Sequence, residues 1–378
     1  MRAAYIHIPF CQHICHYCDF NKVFIDRQPV DLYLEYLEKE IVNTLQVAPF
    51  QQLDTIFVGG GTPTALNMTQ TEKLLSVINK HLVPRTVNYE LTFEANPGDL
   101  PKEKLQLLLD GGVNRLSFGV QSFNDQLLQS IGRVHTKRDV LKALTEAQEV
   151  GFTNLNVDLI YSLPGQTLED LQDTLQTAFT LGVQHFSAYS LIIEPKTVFY
   201  NLMRRGKLPL PGEENEANMY EMVMDAMSRN GYSQYEISNF SKPGYESRHN
   251  LTYWNNEYYY GFGAGAHSYV DGTRIQNVGP LKKYFETIDD AGLPYLSSHN
   301  VTKDEQMEEE MFLGLRKEKG VHKTKFVSKY GTSVHKVFQK QIQQQVKRGL
   351  LEETEHTIRL TRAGKLLGNE VFQTFLME

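Results

Sequence analysis

The first half of the sequence alternates between two kinds of segment, and this alternation constrains the fold more than any other feature. Short runs of β-branched and aromatic residues predict six strands, and segments with helical periodicity lie between them. The predicted strands are Ala3–Ile8, Thr55–Val58, Glu90–Glu94, Arg115–Gly119, Asn154–Ile160 and His185–Leu191. The predicted helices are Leu32–Leu45, Thr71–Leu82, Lys102–Leu109, Lys137–Val150 and Leu168–Leu181, with a weaker candidate at Asp125–Ile131. The pattern favours an α/β fold with a parallel sheet closed or partly closed into a barrel, and with sites at the carboxyl ends of its strands.

The residue pattern changes after about residue 194, where the alternation of strands and helices ends. A helical pattern runs from Glu214 to Asn230, an aromatic and glycine-rich segment follows, and the chain becomes helical again from Thr302, with a short hairpin predicted within Leu350–Thr361. We therefore expect three units: a core of residues 1–235, a linker region of residues 236–300, and a smaller mixed or helical C-terminal domain of residues 301–378 with winged-helix character.

Charge and hydropathy exclude several classes of partner. The 378 residues include 38 basic and 45 acidic ones, a net charge of −7, so the chain offers no electrostatic footprint for nucleic acid. No apolar run approaches the length of a membrane helix, and the first residues lack the pattern of a signal peptide. We expect a cytoplasmic protein without an intrinsic membrane anchor.

All three cysteines of the chain, Cys11, Cys15 and Cys18, lie within eight positions directly after the first predicted strand. Three thiolates on one tight loop indicate a metal centre. A structural zinc site is one interpretation, because His7, His13 or His16 could supply a fourth ligand. An iron–sulfur cluster held by four cysteines is excluded, since the chain has no fourth cysteine. A cluster held by three cysteines, with one iron open to another ligand, is the interpretation we favour.

The spacing CxxxCxxC of these residues resembles the motif of the radical S-adenosylmethionine (SAM) superfamily. The resemblance covers about the first 235 residues and implies a partial (βα)6 barrel. It also implies a [4Fe–4S] cluster whose open iron chelates SAM, and whose electron breaks the sulfonium C–S bond to release a 5′-deoxyadenosyl radical. The protein would hold and tune these cofactors and exclude water and oxygen.

The same resemblance assigns SAM contacts to residues at the ends of the predicted strands. A glycine-rich loop, Gly59–Pro63, follows the second strand and looks like the loop that receives the methionine end of SAM. Alone, such a loop would more often be a simple turn, and each polar residue would more often be an ordinary strand-end residue. Together and in order they form a stronger pattern, and the assigned residues are Gly60, Gly61, Thr62, Glu94, Gln121, Arg133 and Asp158, with Tyr5 and Tyr17 as flanking aromatic positions.

Two branches of the superfamily share this layout, the oxygen-independent coproporphyrinogen III dehydrogenases and the HemW-type haem chaperones. The dehydrogenases carry a fourth cysteine two positions after the third, where this chain has Phe20, and a longer segment before the cluster. The run from His249 to Trp254 matches the HNxxYW motif typical of the HemW type.

His249 is the candidate haem ligand of this motif, because imidazole is a common ligand of haem iron. The alternative is a histidine hydrogen-bonded within an aromatic core, and His267 is a second candidate ligand.

The resemblance thus implies a chaperone that binds haem and passes it to apoproteins such as respiratory haem enzymes, with an electron donor as a further partner. Whether the chain is also an enzyme stays open. The first alternative is the dehydrogenase reaction, the oxidative decarboxylation of coproporphyrinogen III. A zinc-stabilised binding module is a third interpretation.

Overall fold

The computed structural model describes residues 2–377. Its strands, in chain order, are β1 (Ala3–Ile8), β2 (Phe10–Cys11), β3 (Val23–Phe24), β4 (Leu53–Gly60), β5 (Arg85–Ala95), β6 (Arg115–Gln121), β7 (Leu155–Tyr161), β8 (His185–Ser190), β9 (Ser233–Glu236), β10 (Asn239–Ser241), β11 (Tyr259–Phe262), β12 (His267–Val270), β13 (Thr273–Asn277), β14 (Tyr295–Asn300), β15 (Val321–His322), β16 (Leu351–Glu353) and β17 (Thr357–Leu360).

The helices alternate with these strands up to β8 and then dominate the C-terminal part. They are α1 (Val30–Val47), α2 (Met68–His81), α3 (Lys102–Asp110), α4 (Asp125–Ser130), α5 (Lys137–Val150), α6 (Leu168–Phe179), α7 (Val198–Arg204), α8 (Glu213–Arg229), α9 (Arg248–Trp254), α10 (Leu281–Ala291), α11 (Lys303–Arg316), α12 (Lys323–Tyr330), α13 (Val334–Lys347), α14 (Arg362–Leu366) and α15 (Gly368–Gln373). None of the described helices is both long and apolar enough to cross a bilayer.

One twelve-stranded sheet forms the body of the molecule, in the order β14-β13-β12-β11-β1-β4-β5-β6-β7-β8-β10-β9. The strands from β11 through β8 run parallel, and antiparallel strands extend both ends. The six predicted strands are β1 and β4 to β8, and the expected α/β fold with a partial (βα)6 barrel is confirmed. The carboxyl ends of these six strands therefore meet at one edge, where sites are expected.

Local signals in the sequence explain where several helices begin. Asn67, Thr136 and Thr167 each cap a helix, α2, α5 and α6, in a reciprocal capping box with the residue three positions later. Such boxes satisfy backbone N–H groups that a helix start leaves unpaired. The inner faces of these helices and the strands share one large hydrophobic core.

The segment 236–300, expected to be a linker region, is part of the sheet instead. β11 pairs in parallel with β1, with Ala4 opposite Tyr260, and β12, β13 and β14 continue the sheet as an antiparallel meander. The sequence pattern missed these strands because most are only four or five residues long and glycine turns separate them. The sheet thus holds this segment firmly against the core.

The C-terminal part has its own hydrophobic core, formed by residues from α11 to α15 and by a three-stranded sheet, β15-β17-β16. β16 and β17 form the predicted hairpin, with Leu351 opposite Leu360. An isolated bridge between Glu236 and Lys317 joins this part to the edge of the large sheet. The domain boundaries themselves stay a prediction.

Candidate functional site

The three cysteines lie on a loop that two short strands close at its base. β2 and β3 pair in parallel, with Cys11 opposite Phe24, so the chain between them must project as a loop from the end of β1. Within the loop the Cys18 amide donates to the Cys15 carbonyl (3.3 Å), and the His16 amide donates to the Ile131 carbonyl (3.0 Å). The loop is therefore held both internally and against the segment after α4.

A cavity of about 430 Å³ lies between this loop and the carboxyl ends of the strands. It is the place where the sequence-predicted residues meet: all three cysteines and eight of the ten other predicted site residues line it. Those eight are Tyr17, Gly60, Gly61, Thr62, Glu94, Gln121, Arg133 and Asp158. The two exceptions in the described chain are Tyr5 and His249.

Two of the three thiols, those of Cys11 and Cys18, lie in surroundings that favour the protonated form. Burial raises the pKa of the Cys18 thiol to about 11 and also raises the pKa of Cys11. The Thr62 hydroxyl donates to Cys11 Sγ (3.7 Å), and Arg133 Nη1 donates to Cys15 Sγ (3.4 Å). Iron binding must therefore displace protons, and donors are in place for the resulting negative sulfurs.

The donor set fits an iron–sulfur cluster. Soft thiolates are the ligands that iron–sulfur clusters prefer, and three of them face one cavity. A mononuclear zinc site needs ligands that converge on one point. No group of three or more Cys, His, Asp or Glu side chains does so within residues 2–377.

Arg133 connects the cysteine loop to the strand ends. Besides Cys15, its guanidinium donates to Asn96 Oδ1 (2.8 Å) and to the Gly119 carbonyl. Asn96 in turn donates from Nδ2 to the Thr62 hydroxyl (3.2 Å). Sequence reasoning missed Asn96 as a site residue, although its place directly after β5 and before Pro97 was a signal for a strand-end turn.

Two carboxylates, Glu94 and Asp158, lie deep in the cavity. Glu94 Oε2 accepts a hydrogen bond from the Gly60 amide (3.0 Å), while Asp158 accepts from Asn156 Nδ2 (2.7 Å) and the Ser117 hydroxyl (3.1 Å). Burial, and secondly the negative charge of Asp158, raises the pKa of Glu94 to about 8. Burial also raises the pKa of Asp158. Such a pair favours a positively charged or hydroxyl-bearing ligand, which would stabilise the ionised forms.

The glycine loop approaches its neighbours too closely for side chains. Gly60 has φ = +115°, and a Cβ there would lie 2.4 Å from the His7 ring. A Cβ on Gly61 would lie 2.8 Å from the Phe10 carbonyl oxygen. These positions require glycine for packing between β1 and β4, as well as for exposing backbone to the cavity.

Tyr5 was predicted to flank the cofactor, but its hydroxyl bonds to His7 Nδ1 (3.0 Å) rather than lining the cavity. His7 Nε2 donates to the Asn21 carbonyl (2.7 Å), so Nδ1 must accept from the Tyr5 hydroxyl. Tyr5 therefore supports the base of the cysteine loop through His7. Tyr17 lines the cavity as expected.

His249 lies away from the cavity, at the opposite end of the barrel. Its ring is 1% exposed, and both nitrogens are engaged: Nδ1 with the Thr55 hydroxyl (3.0 Å) and Nε2 with the Tyr253 hydroxyl (2.9 Å). It stacks on Phe57 with ring centroids 5.1 Å apart. Burial, and secondly the charge of Arg115, lowers its pKa to about 3. In this arrangement His249 is the hydrogen-bonded core histidine of our alternative interpretation and presents no nitrogen to a ligand.

Comparisons with known proteins agree with this geometry. Residues 5–178 match the family model of the radical SAM superfamily, and residues 301–367 match that of the HemN C-terminal domain. Over 378 residues the chain is 56% identical to a protein named heme chaperone HemW from Bacillus subtilis (strain 168), and the match covers 100% of both chains. The chain belongs to the HemW family of radical SAM proteins. Membership in this superfamily implies a [4Fe–4S] cluster and SAM as cofactors.

More distant HemW relatives match over nearly the whole chain. The heme chaperone HemW of Lactococcus lactis subsp. lactis (strain IL1403) is 46% identical over 376 residues, covering 100% of this chain and 97% of the relative. Among solved structures, coproporphyrinogen III oxidase (HemN) from Escherichia coli superimposes with a TM-score of 0.86 at 26% identity, covering 99% of this chain and 90% of that one. Nearly the whole of this chain, including its C-terminal part, thus shares the fold of HemN.

Proposed function

We propose that this protein binds haem and transfers it to apoproteins, using a radical SAM core. The observation that carries this proposal is the 56% identity over the full chain to a relative named heme chaperone HemW. The cysteine loop supports it, because Cys18 is followed by Asp19 and Phe20 and the fourth cysteine of the dehydrogenase motif is missing. Acceptors such as respiratory haem enzymes, an electron donor and a cytoplasmic location belong to the same proposal.

The cysteines Cys11, Cys15 and Cys18 would hold the [4Fe–4S] cluster in this proposal. When bound, the cluster and SAM supply reductive cleavage of a sulfonium C–S bond. The chain's own contribution is electrostatic: Thr62 and Arg133 donate hydrogen bonds to two of the three sulfurs. Hydrogen bonds to cluster sulfurs raise the reduction potential, so both donors would favour the reduced cluster.

The remaining cavity residues would hold SAM. Glu94 would accept hydrogen bonds from the ribose hydroxyls, and Gly60, Gly61 and Thr62 would present backbone to the methionine end. Gln121, Arg133, Asp158 and Tyr17 line the same cavity and complete the assignment. Tyr5 would support the SAM site only indirectly, through its hydrogen bond to His7.

The residue that binds haem iron is a prediction, and His249 could do so only after a change in the structure. His249 reaches haem iron only if its hydrogen bonds to Thr55 and Tyr253 break and α9 moves away from β4. His267 begins β12 with an exposed side chain and needs no such movement. Separate variants of His249 and His267 can therefore distinguish the two candidate haem ligands.

An anaerobic haem titration of the cluster-loaded protein, followed by the Soret band, tests the proposal. We expect saturation near one haem per chain in the wild type. Loss of the site in His249→Ala but not in His267→Ala would assign the ligand to His249, and the reverse result would assign it to His267. A wild type without stoichiometric binding, or without transfer to an apo-haem protein, contradicts the chaperone function.

The HemN-like architecture favours one second candidate, the oxidative decarboxylation of coproporphyrinogen III. An anaerobic assay with SAM and a reductant separates the two functions. We expect no protoporphyrinogen formation above background. Robust formation of that product would replace the chaperone proposal.

A further inference from the structure

A buried arginine below the cofactor cavity is left unexplained by the assignments above. Arg115 begins β6, is 2% exposed and is among the largest fully buried side chains of residues 2–377. Its Nε has no hydrogen-bond acceptor within residues 2–377. Burying a guanidinium is costly unless its charge is compensated, so the surroundings must explain it.

The strand register shows where this side chain points. Ser117 and Glu94 line the cavity and lie opposite each other on β6 and β5. Arg115 precedes Ser117 by two residues and lies opposite Thr92, which precedes Glu94 by two. Residues two apart on a strand face the same side, so Arg115 points into the barrel, one step of about 7 Å below the layer that contains Glu94.

The charges around this position are mostly negative. Glu90 lies below, where the backbone amides of Arg248 (3.2 Å) and His249 (3.1 Å) donate to its carboxylate. Glu94 and Asp158 lie above and face the cavity. Asp158 accepts hydrogen bonds from the Ser117 hydroxyl and the Asn156 amide, whereas Glu94 accepts one from the Gly60 backbone amide. Glu94 is therefore the carboxylate that depends most on a nearby positive charge.

The buried histidines of the barrel do not supply that charge. Burial, and secondly the charge of Arg115, lowers the pKa of both His185 and His249, so both rings stay neutral at pH 7. Burial also lowers the pKa of His7. Arg115 therefore supplies a positive charge beneath the cavity floor.

We propose that Arg115 is a positioning residue for SAM, acting through Glu94: its charge stabilises the ionised form of the Glu94 carboxylate, which is the form that binds the cofactor. This rests on the assignment of SAM to the cavity. The titratable and charged groups that interact electrostatically with Glu94 are Asp158 on β7, Arg115 on β6, and the hydroxyls of Tyr5 on β1 and Tyr253 on α9, and the Gly60 amide on β4 donates a hydrogen bond to it. The pKa of Glu94 follows this arrangement, since burial and Asp158 raise it while Gly60 and Arg115 lower it.

The test is the pH dependence of SAM binding by the anaerobically cluster-loaded full chain, with iron and sulfide content measured first. We expect Arg115→Met to bind SAM about tenfold more weakly than the wild type at pH 7, the equivalent of one pKa unit on Glu94. The deficit should shrink toward pH 9 as Glu94 ionises. Arg274→Met removes an arginine paired with Glu309 far from the cavity and should leave SAM affinity unchanged.

A double variant separates positioning from general damage. If Arg115 acts through Glu94, then Glu94→Gln with Arg115→Met binds SAM no more weakly than Glu94→Gln alone. Independent, additive losses, or an Arg115→Met deficit that is the same at every pH, would overturn the proposal. So would wild-type affinity in Arg115→Met.

Arg115→Lys provides the test if Arg115→Met does not fold. A lysine keeps a positive charge at this position at neutral pH but loses the planar fork of the guanidinium. We expect SAM affinity within about threefold of the wild type at pH 7, because the charge near Glu94 is retained. A deficit of tenfold or more at pH 7 would contradict the role of the charge. Failure of the wild type itself to bind SAM would instead contradict the cavity assignment.

Discussion

The two ends of the barrel differ in what their polar residues do. At the carboxyl end of the strands, the cysteine loop and residues such as Glu94 and Arg133 line an open cavity. At the amino end, α9 closes the barrel: its backbone amides bind Glu90, and His249 is buried against Thr55 and Phe57. Both ends carry residues of family motifs, but in the described chain those at the carboxyl end line a cavity, whereas His249 at the amino end has both nitrogens hydrogen-bonded. The position of a motif relative to the strand ends therefore decides whether its side chains face an open site or pack into the core.

The largest effect expected at the open end is loss of the cluster. Cys15→Ser should reduce bound iron and acid-labile sulfide from about four each per chain to near zero, because an oxygen ligand replaces a thiolate that is essential to the loop. Metal and sulfide analysis after anaerobic reconstitution measures this. Gln12→Ala changes an exposed residue of the same loop and should keep the wild-type content. Retention of a full cluster in Cys15→Ser would contradict the assignment of Cys15 as a cluster ligand.

At the closed end, His249→Ala should destabilise the fold by about 3 kcal/mol, because it leaves a cavity beside Phe57 and removes partners of two buried hydroxyls. His267→Ala, at an exposed position, should change stability by less than about 0.5 kcal/mol. Chemical denaturation of the cluster-free chains gives both values. Similar, small effects in the two variants would mean that His249 is not a core residue, and the contrast between the ends would fail.

The same histidine predicts an acid sensitivity. Its pKa is about 3 in the fold and near 6.5 when unfolded, so the unfolded chain binds more protons between these values. The contribution of His249 to stability is thus present above pH 6.5 and is lost as pH falls toward 3. The stability difference between the wild type and His249→Ala should shrink on acidification, and a constant difference from pH 7 to pH 5 would contradict this.

Glu94→Gln should weaken SAM binding by about 30-fold, or about 2 kcal/mol, because a charge-assisted acceptor is replaced by a neutral one. The pKa of Glu94 is about 8, so the loss should be greatest at and above pH 8, where the wild-type carboxylate is ionised, and smaller at pH 6.5. Calorimetric titration across this range measures it. Glu149→Gln, on an exposed ion pair with Lys102, is the control and should bind SAM normally.

The smallest effects compare two threonines near the two ends of one strand. Thr55→Val, in β4, removes a hydrogen bond to His249 and should cost about 1 kcal/mol of stability without changing SAM affinity. Thr62→Val, just after β4, removes a donor to Cys11 and should lower the reduction potential of the cluster with little change in stability. A potentiometric titration of each variant measures the reduction potential, and a denaturation curve measures the stability. Interchanged effects would show that the ends are not functionally distinct.

The strands and helices of the core were predictable because each carries its own periodicity and start signals. β1 has the predicted bounds, Ala3–Ile8, and α5 has the predicted bounds, Lys137–Val150. The short strands of residues 236–300 were not predictable in this way. Their pairing depends on β1, a strand more than 250 residues earlier, and no local pattern of four residues encodes such a partner.

For the site, the cysteine spacing and the positions after strands identified eleven residues that line one cavity. Asn96 was missed because a lone asparagine at a turn has many local explanations, and only its contacts with Arg133 and Thr62 give it a role. Arg115 was missed for a similar reason. A basic residue at the start of a strand reads as a surface residue until the register places it inside the barrel.

Local spacing and periodicity are enough to predict the fold class, a metal centre at Cys11, Cys15 and Cys18, and the strand ends where a cofactor could bind. Only contacts between segments far apart in the chain show that Asn96 joins the site, that Arg115 lies under it, and that His249 lies at the far end with both nitrogens hydrogen-bonded. The reason is physical: a motif names the groups present, but burial and hydrogen-bond partners from distant strands decide which groups remain free to bind.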